Sequence, residues 1–194
     1  VQLLGTIVRL QYQRGHLKVP GTDRRFRQYD PANIVTTDEL RFTPDGPETG
    51  PLTAPIYDVH HRLHLDSRNR GDNGVSLNAT GHYTLMRDRL GERITEGVAG
   101  ENILIAYDGV LTEGDLAGGL AVETRDGLAF IDDIIVATPC VEFSRYALDY
   151  PADQPPNRLV ADTVAFLNDG VRGFYATMRE PATLRVGDRV FRRA

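Results

Sequence analysis

Short apolar runs separated by turn residues make up most of this chain, and they limit its fold more than any other feature. Leu3 to Gln11, Ile103 to Tyr107, Leu120 to Thr124, Ala129 to Thr138, Gly173 to Met178, Leu184 to Val186 and Arg189 to Phe191 each read as a strand. Asp126-Gly127 between two of them is a hairpin signal, and Gly187-Asp188 marks a second turn. Two stretches carry helical spacing. Tyr83, Met86 and Leu90 recur between Gly81 and Gly91, with Thr80 as N-cap and Gly91 as stop. Leu159, Val160, Val164 and Leu167 do the same between Arg158 and Asp169, and Gly170 follows as a breaker. Many short strands with two helices predict a mainly β protein, a β-barrel with a few peripheral helices, because closure removes exposed strand edges.

The segment 43–55, TPDGPETGPLTAP, is dense in Gly and Pro and reads as a long loop. The residues before it hold too few apolar side chains for a core of their own, so a single domain over 1–194 is expected. No apolar run approaches the roughly 20 residues a membrane span needs, and no membrane partner is expected. The first ten residues lack the basic start and long apolar centre of a secretory signal. One cysteine permits no internal disulfide, which suits a reducing compartment, so a cytoplasmic location is expected. A net charge of −5 argues against a nucleic acid held through its phosphates.

Five stretches could carry chemistry. Cys140 ends the run IIVATPC, where Pro139 cannot donate a ladder bond, so the strand should stop at the cysteine and leave the thiol at its mouth. An unperturbed thiol is only about 3% ionised at neutral pH, so reactivity needs nearby positive charge or a metal; the alternative is a small buried hydrophobe. In EGVAGENILI, Gly97 and Gly100 bracket a turn, and Glu101-Asn102 could fix a heteroaromatic ligand through paired donors and acceptors or simply cap the turn. In VRGFYATM, Arg172 can hold an anion and Gly173 permits close backbone approach. In HHRLH, His60 and His64 share a face in a strand or a helix and could take part in a metal site, with His61 between them. RRFR, residues 24–27, reads as a solvated turn.

The succession GENI at 100–103, GD at 114–115, ATPC at 137–140, RGFYA at 172–176 and VGD at 186–188 resembles the MOSC family, named for the C-terminal domain of molybdenum cofactor sulfurases. The resemblance implies a MOSC-type β-barrel with a pocket for the pyranopterin molybdenum cofactor. It gives Cys140 the role of molybdenum ligand or sulfur carrier, and Gly100, Glu101, Asn102, Arg172 and Gly173 that of cofactor-binding residues. The chain departs from the pattern twice. Stand-alone bacterial members often carry His-Gly-Gly before the first helix, where RGDNG stands at 70–74. Many also place a basic residue just after the cysteine, where Glu142 would oppose a free thiolate and favour a metal-bound sulfur.

Three functions follow from the resemblance and the residues together. One is reduction of N-hydroxylated compounds, a small-molecule substrate, with electrons from a redox partner supplied in trans because no flavin or iron–sulfur motif is present. Another is sulfur carriage, with a Cys140 persulfide loaded by a cysteine desulfurase. The third is a non-catalytic binding barrel. His60 is a weaker candidate for proton delivery, since imidazole titrates near neutrality.

Overall fold

The computed structural model describes residues 2–21, 26–151 and 153–193. The chain opens with β1 (Gln2–Gln13), followed by a small hairpin of β2 (Lys18–Pro20) and β3 (Arg27–Tyr29), and by β4 (Ile34–Thr37). β5 (Glu39–Thr43), β6 (Gly46–Thr49) and β7 (Ile56–Tyr57) come next, then β8 (Val75–Ala79), which runs directly into α1 (Thr80–Leu90). β9 (Ile103–Ile105), α2 (Glu113–Leu116), β10 (Leu120–Thr124) and β11 (Gly127–Val136) lead to α3 (Val141–Ala147) and α4 (Arg158–Leu167). β12 (Phe174–Thr177), β13 (Ala182–Arg185) and β14 (Arg189–Arg192) finish the fold. No helix among the described residues is long and apolar enough to cross a membrane.

The barrel closes through the order β14-β10-β11-β12-β8-β9-β1, with β1 returning to β14. Every pairing in this ring is antiparallel except β8 with β9, which the crossover through α1 makes parallel. Strand β1 is long enough to pair with β14 over its first residues, β9 in its middle and β4 at its end. Inside lie Ile7, Leu10, Leu77, Ile103, Ile105, Leu120, Val122, Ile131, Phe174 and Val190. The second sheet, ordered β13-β5-β6-β7, adds Leu40, Phe42 and Leu184 to that core.

Successive strand residues point to opposite faces, and β9 uses both faces: Ile103 and Ile105 point into the barrel, Leu104 toward the helices. There Leu104 meets Tyr83 and Met86 of α1, Phe143 and Ala147 of α3 and Leu167 of α4 in a second apolar cluster. Leu17, just before β2, and Tyr29, the last residue of β3, belong to it as well. One wall of the barrel is therefore covered, and the hairpin and α3 meet beside it.

The structure differs from the sequence expectation in several places, among them the N-cap of α1, which is Ala79, with Thr80 the first helical residue. TPDGPETGPLTAP is a loop only over 50–55: in its first half β5 and β6 pair as a hairpin, the Thr43 hydroxyl accepting from Asp45 N–H and donating to the Gly46 carbonyl across the turn. The Asp126-Gly127 turn sits one residue earlier, because Gly127 pairs with Thr124 and leaves Arg125 and Asp126 as the loop. Strand β11 ends at Val136, four residues before Cys140, and the cysteine stands instead at the N-cap of α3. Segment 58–67 is a run of turns, so His60 and His64 share no strand or helix face. Of RRFR, Arg24 and Arg25 lie outside the described residues, while Arg27 opens β3.

Candidate functional site

Three contacts bring the motif segments together. Ala137 N–H donates to the Gly173 carbonyl at 3.0 Å, fastening ATPC to the RG segment. The Arg172 guanidinium donates to the Ala99 carbonyl, fastening RG to the turn before GEN. A side chain at Gly173 would come within 2.8 Å of the Leu77 carbonyl, and its φ of +116° lies where glycine is favoured, so the RG backbone can lie flat against β8. Gly100, with φ +84°, lets the turn pass under Leu17, which an added Cβ would meet at 2.6 Å. Buried Gln13 completes the frame from β1, donating to the Gly100 carbonyl at 2.7 Å.

Against this frame opens a cavity of about 460 Å³, within the range that holds a cofactor-sized ligand. Cys140, Arg172 and His60 line it. Five other basic side chains join them: His16, Lys18, Arg27, Arg68 and Arg70. Among the described residues no carboxylate lines it, although the chain as a whole carries a net charge of −5. Glu142 does not face the thiol unpaired; its carboxylate lies 3.5 Å from Lys18 Nζ. A recess of about 30 Å³, room for a water-sized group, leads off the same walls past His60 and Arg172 to Gly100, Glu101 and Gly173.

Electrostatics follow from burial. Arg172 stacks 4.5 Å above the Phe143 ring; burial works against its charge, but Tyr29, Cys140, Tyr175 and Tyr83 hold its pKa above the ordinary value. Burial raises the Glu101 pKa, opposed by the Tyr83 hydroxyl, which donates to both carboxylate oxygens at 2.8 Å, and by Arg172. Tyr29 is likewise pushed up by burial and donates to the Val98 carbonyl at 2.7 Å. Burial and the neighbouring Arg68 guanidinium lower His16, which fits a neutral ring accepting from Arg68 Nε–H at 3.3 Å.

The predicted residues divide. Cys140, Arg172 and His60 share the main cavity, while Gly100, Glu101 and Gly173 border the recess. Asn102 lies behind the wall. Its carbonyl oxygen accepts from the Ser76 amide and hydroxyl, and its NH₂ donates to the Gln11 carbonyl and to Asp58 Oδ2, so both ends of the amide are used within the protein. His64 turns away, bonded through both ring nitrogens to backbone at Arg14 and Asp66. His61 stacks on Tyr57 with ring centroids 4.2 Å apart. No group of three or more His, Cys, Asp or Glu side chains among the described residues has metal-site geometry.

Sequence reasoning missed the basic mouth. Arg68 and Arg70 belong to the RNRGDNG run, where Asn73 accepts from Arg70 N–H and donates to the Arg68 carbonyl, holding both arginines at the cavity. That run, standing where His-Gly-Gly would be expected, was the available signal. The two GD motifs are structural. Asp115 closes a capping box with Thr112 at the start of α2, and Asp188 accepts from Arg185 N–H in the turn into β14.

A mixed seven-stranded barrel, parallel only at β8-β9, with a lone cysteine opening into a basic cavity beside an RG turn is the arrangement of a MOSC protein. The chain belongs to the MOSC domain family, whose sequence model matches residues 57–191. It is similar in structure to YuaD from Bacillus subtilis, with TM-score 0.52 and 15% identity over 95% of this chain and 96% of that one. It is also similar to YiiM from Escherichia coli, with TM-score 0.50 and 16% identity over 82% of this chain and 66% of that one. At these identities the likeness is one of fold. No curated protein matches the chain significantly.

Proposed function

We propose that the cavity holds a pyranopterin molybdenum cofactor, with Cys140 as metal ligand, and that the protein reduces N-hydroxylated small molecules using electrons from a separate donor protein. One observation carries this: the only thiol of an acidic chain opens into a cavity lined by Lys18, Arg27, Arg68, Arg70 and Arg172 and, among the described residues, by no carboxylate. The donor set fits such a group. A thiolate suits a soft transition metal, and arginines suit a phosphate through bidentate hydrogen bonding. When bound, the cofactor supplies the two-electron chemistry. The chain's own residues hold and orient it: Arg172 and the mouth arginines offer donors to its anionic groups, and the covered barrel wall behind Tyr29 and Phe143 keeps that side dry.

Purification from hosts with and without molybdenum cofactor synthesis, for the native chain and Cys140→Ser, tests this reading. Expected is near-stoichiometric molybdenum and pterin in the native protein from the proficient host only, with molybdenum lost from the variant. Equal metal content in both proteins overturns it. A second reading, sulfur carriage, is favoured by the partial exposure of Cys140 at the cavity wall. It predicts a persulfide on Cys140 after incubation with a cysteine desulfurase and cysteine, and an unmodified thiol by mass spectrometry would exclude it.

A further inference from the structure

Asp58 is fully buried, and both oxygens of its carboxylate are hydrogen-bonded. Oδ2 accepts from Gln13 N–H at 2.6 Å and from the Asn102 side-chain NH₂ at 3.1 Å. Oδ1 accepts from His60 N–H at 2.7 Å and lies 3.0 Å from His60 Nδ1. A carboxylate offers only acceptors, so Nδ1 carries the hydrogen of that contact. Nε2 is then the basic nitrogen of the neutral ring. It has no protein partner among the described residues, and the ring borders both the main cavity and the recess. Asn102, the motif residue that never reaches the cavity, thereby has a role behind it, anchoring the carboxylate that sets the histidine.

We propose that His60 is the proton-transfer residue of the cavity, with Asp58 and Asn102 as its positioning residues. The assignment deepens the reading above and rests on it for the identity of the ligand. Protonated His60 gives the Nε2 hydrogen to an oxygen or nitrogen of the bound substrate: the N–H bond breaks with its electron pair left on the imidazole, and an O–H or N–H bond forms on the substrate. The Nδ1 hydrogen stays on the ring, held by Asp58. For an N-hydroxylated substrate the N–O bond breaks and the hydroxyl leaves as water with this proton, the nitrogen takes a second proton from solvent, and the two electrons would come from the separate donor protein. Asp58 on its own loop and Tyr175 of β12, at 6.2 Å between ring centroids, lie next to His60; the other charged and titratable groups of the cavity and recess it borders are His16, Lys18, Arg27, Tyr29, Arg68, Arg70, Cys140, Arg172 and Glu101. A fixed imidazole in this position contributes about 10²- to 10⁴-fold in rate.

Two measurements test the proposal. In the cofactor-free protein, ¹⁵N shifts of the neutral His60 ring report its tautomer. The native chain is expected to show Nδ1–H alone, and Asp58→Asn to lose that single tautomer; a native ring in the Nε2–H form overturns the assignment. In the cofactor-loaded protein, His60→Gln is expected to keep the native molybdenum content and lose about 10²- to 10⁴-fold in turnover of an N-hydroxylated substrate, partly restored by added imidazole. Native turnover in His60→Gln overturns the proposal. Molybdenum missing from the native protein overturns the cofactor reading instead, and the tautomer measurement still decides the geometry of the dyad.

Discussion

His82 on α1 is wholly buried and held in one protonation state by its two partners. Leu111 N–H donates to Nε2 at 2.7 Å, so Nδ1 carries the hydrogen and faces the Val171 carbonyl at 3.3 Å, one residue before Arg172. Burial lowers its pKa, against weaker upward pulls from the Val171 and Gly170 carbonyls. A depressed histidine contributes stability that is full above about pH 6.5 and is lost as pH falls through the folded value. His82→Leu leaves Leu111 N–H and the Val171 carbonyl unpaired, each costing roughly 1–3 kcal/mol. Urea midpoints at pH 7.5 and 5.5 should therefore fall less steeply in the variant than in the native chain, from a lower start; parallel slopes would refute the assignment. Glu101 has the opposite sign. Its raised pKa means that stability falls as pH climbs from the ordinary carboxylate value of about 4.3 toward the folded one. Glu101→Gln should accordingly be at least as stable as the native chain at pH 7, and a marked loss there would mean that the Arg172 attraction outweighs burial. Cys140 and Arg172 were readable from motif order. Asp58 was not, because its importance lies in contacts to Gln13 and Asn102 that are distant in sequence.

At the scale of elements, the helices behind the cavity decide how well Cys140 is placed. Helix α3 is seven residues long, too short to display a helical period, and Pro139 before it reads as the end of a strand; its buried Phe143 and Ala147, four apart, were the only trace. Helix α4, legible from its apolar face and Gly170, packs on α3 within the second cluster through Leu167. Its N-cap is Asn157, whose side-chain oxygen accepts from Val160 N–H at 3.2 Å. Asn157→Ala should cost about 1 kcal/mol, while Asn157→Ser keeps most of the bond. Thermal unfolding of both variants checks this, and an unaffected alanine variant would show that α4 is held by packing alone. The β5-β6 hairpin was hidden by its own composition. Pro44, Gly46 and Pro47 read as loop, although Leu40 and Phe42 alternate into the core as strand residues do.

For the whole molecule, alternating short strands disclosed a barrel but not which strands meet. Closure depends on β14, where buried Val190 pairs with Gly5 on one side and Val122 on the other. Neither pairing is local, so neither could be read from neighbouring residues. The same non-local folding concentrates charge. Lys18, Arg27, Arg68, Arg70 and Arg172 come from four separate stretches of a chain whose net charge is −5, and they converge on one opening. Among the described residues the carboxylate paired with Arg70 is exposed Asp72 at 3.7 Å, and the guanidinium also lies 5.7 Å from the centroid of the Tyr175 ring at the cavity. An anion entering there gains from several cations at once, and solvent exposure makes the gain sensitive to salt, since the screening length falls to about 8 Å at physiological ionic strength. Pyrophosphate titrated calorimetrically into the cofactor-free protein should bind more weakly as salt is raised. Exposed charge pairs contribute about 0.2–1 kcal/mol each, so the Arg68→Ala, Arg70→Ala double variant should weaken binding roughly twofold to thirtyfold at low salt. The difference between native and variant should then shrink as salt rises. Salt-independent binding, or binding unchanged in the double variant, would mean that these arginines do not set the affinity of the cavity for anions.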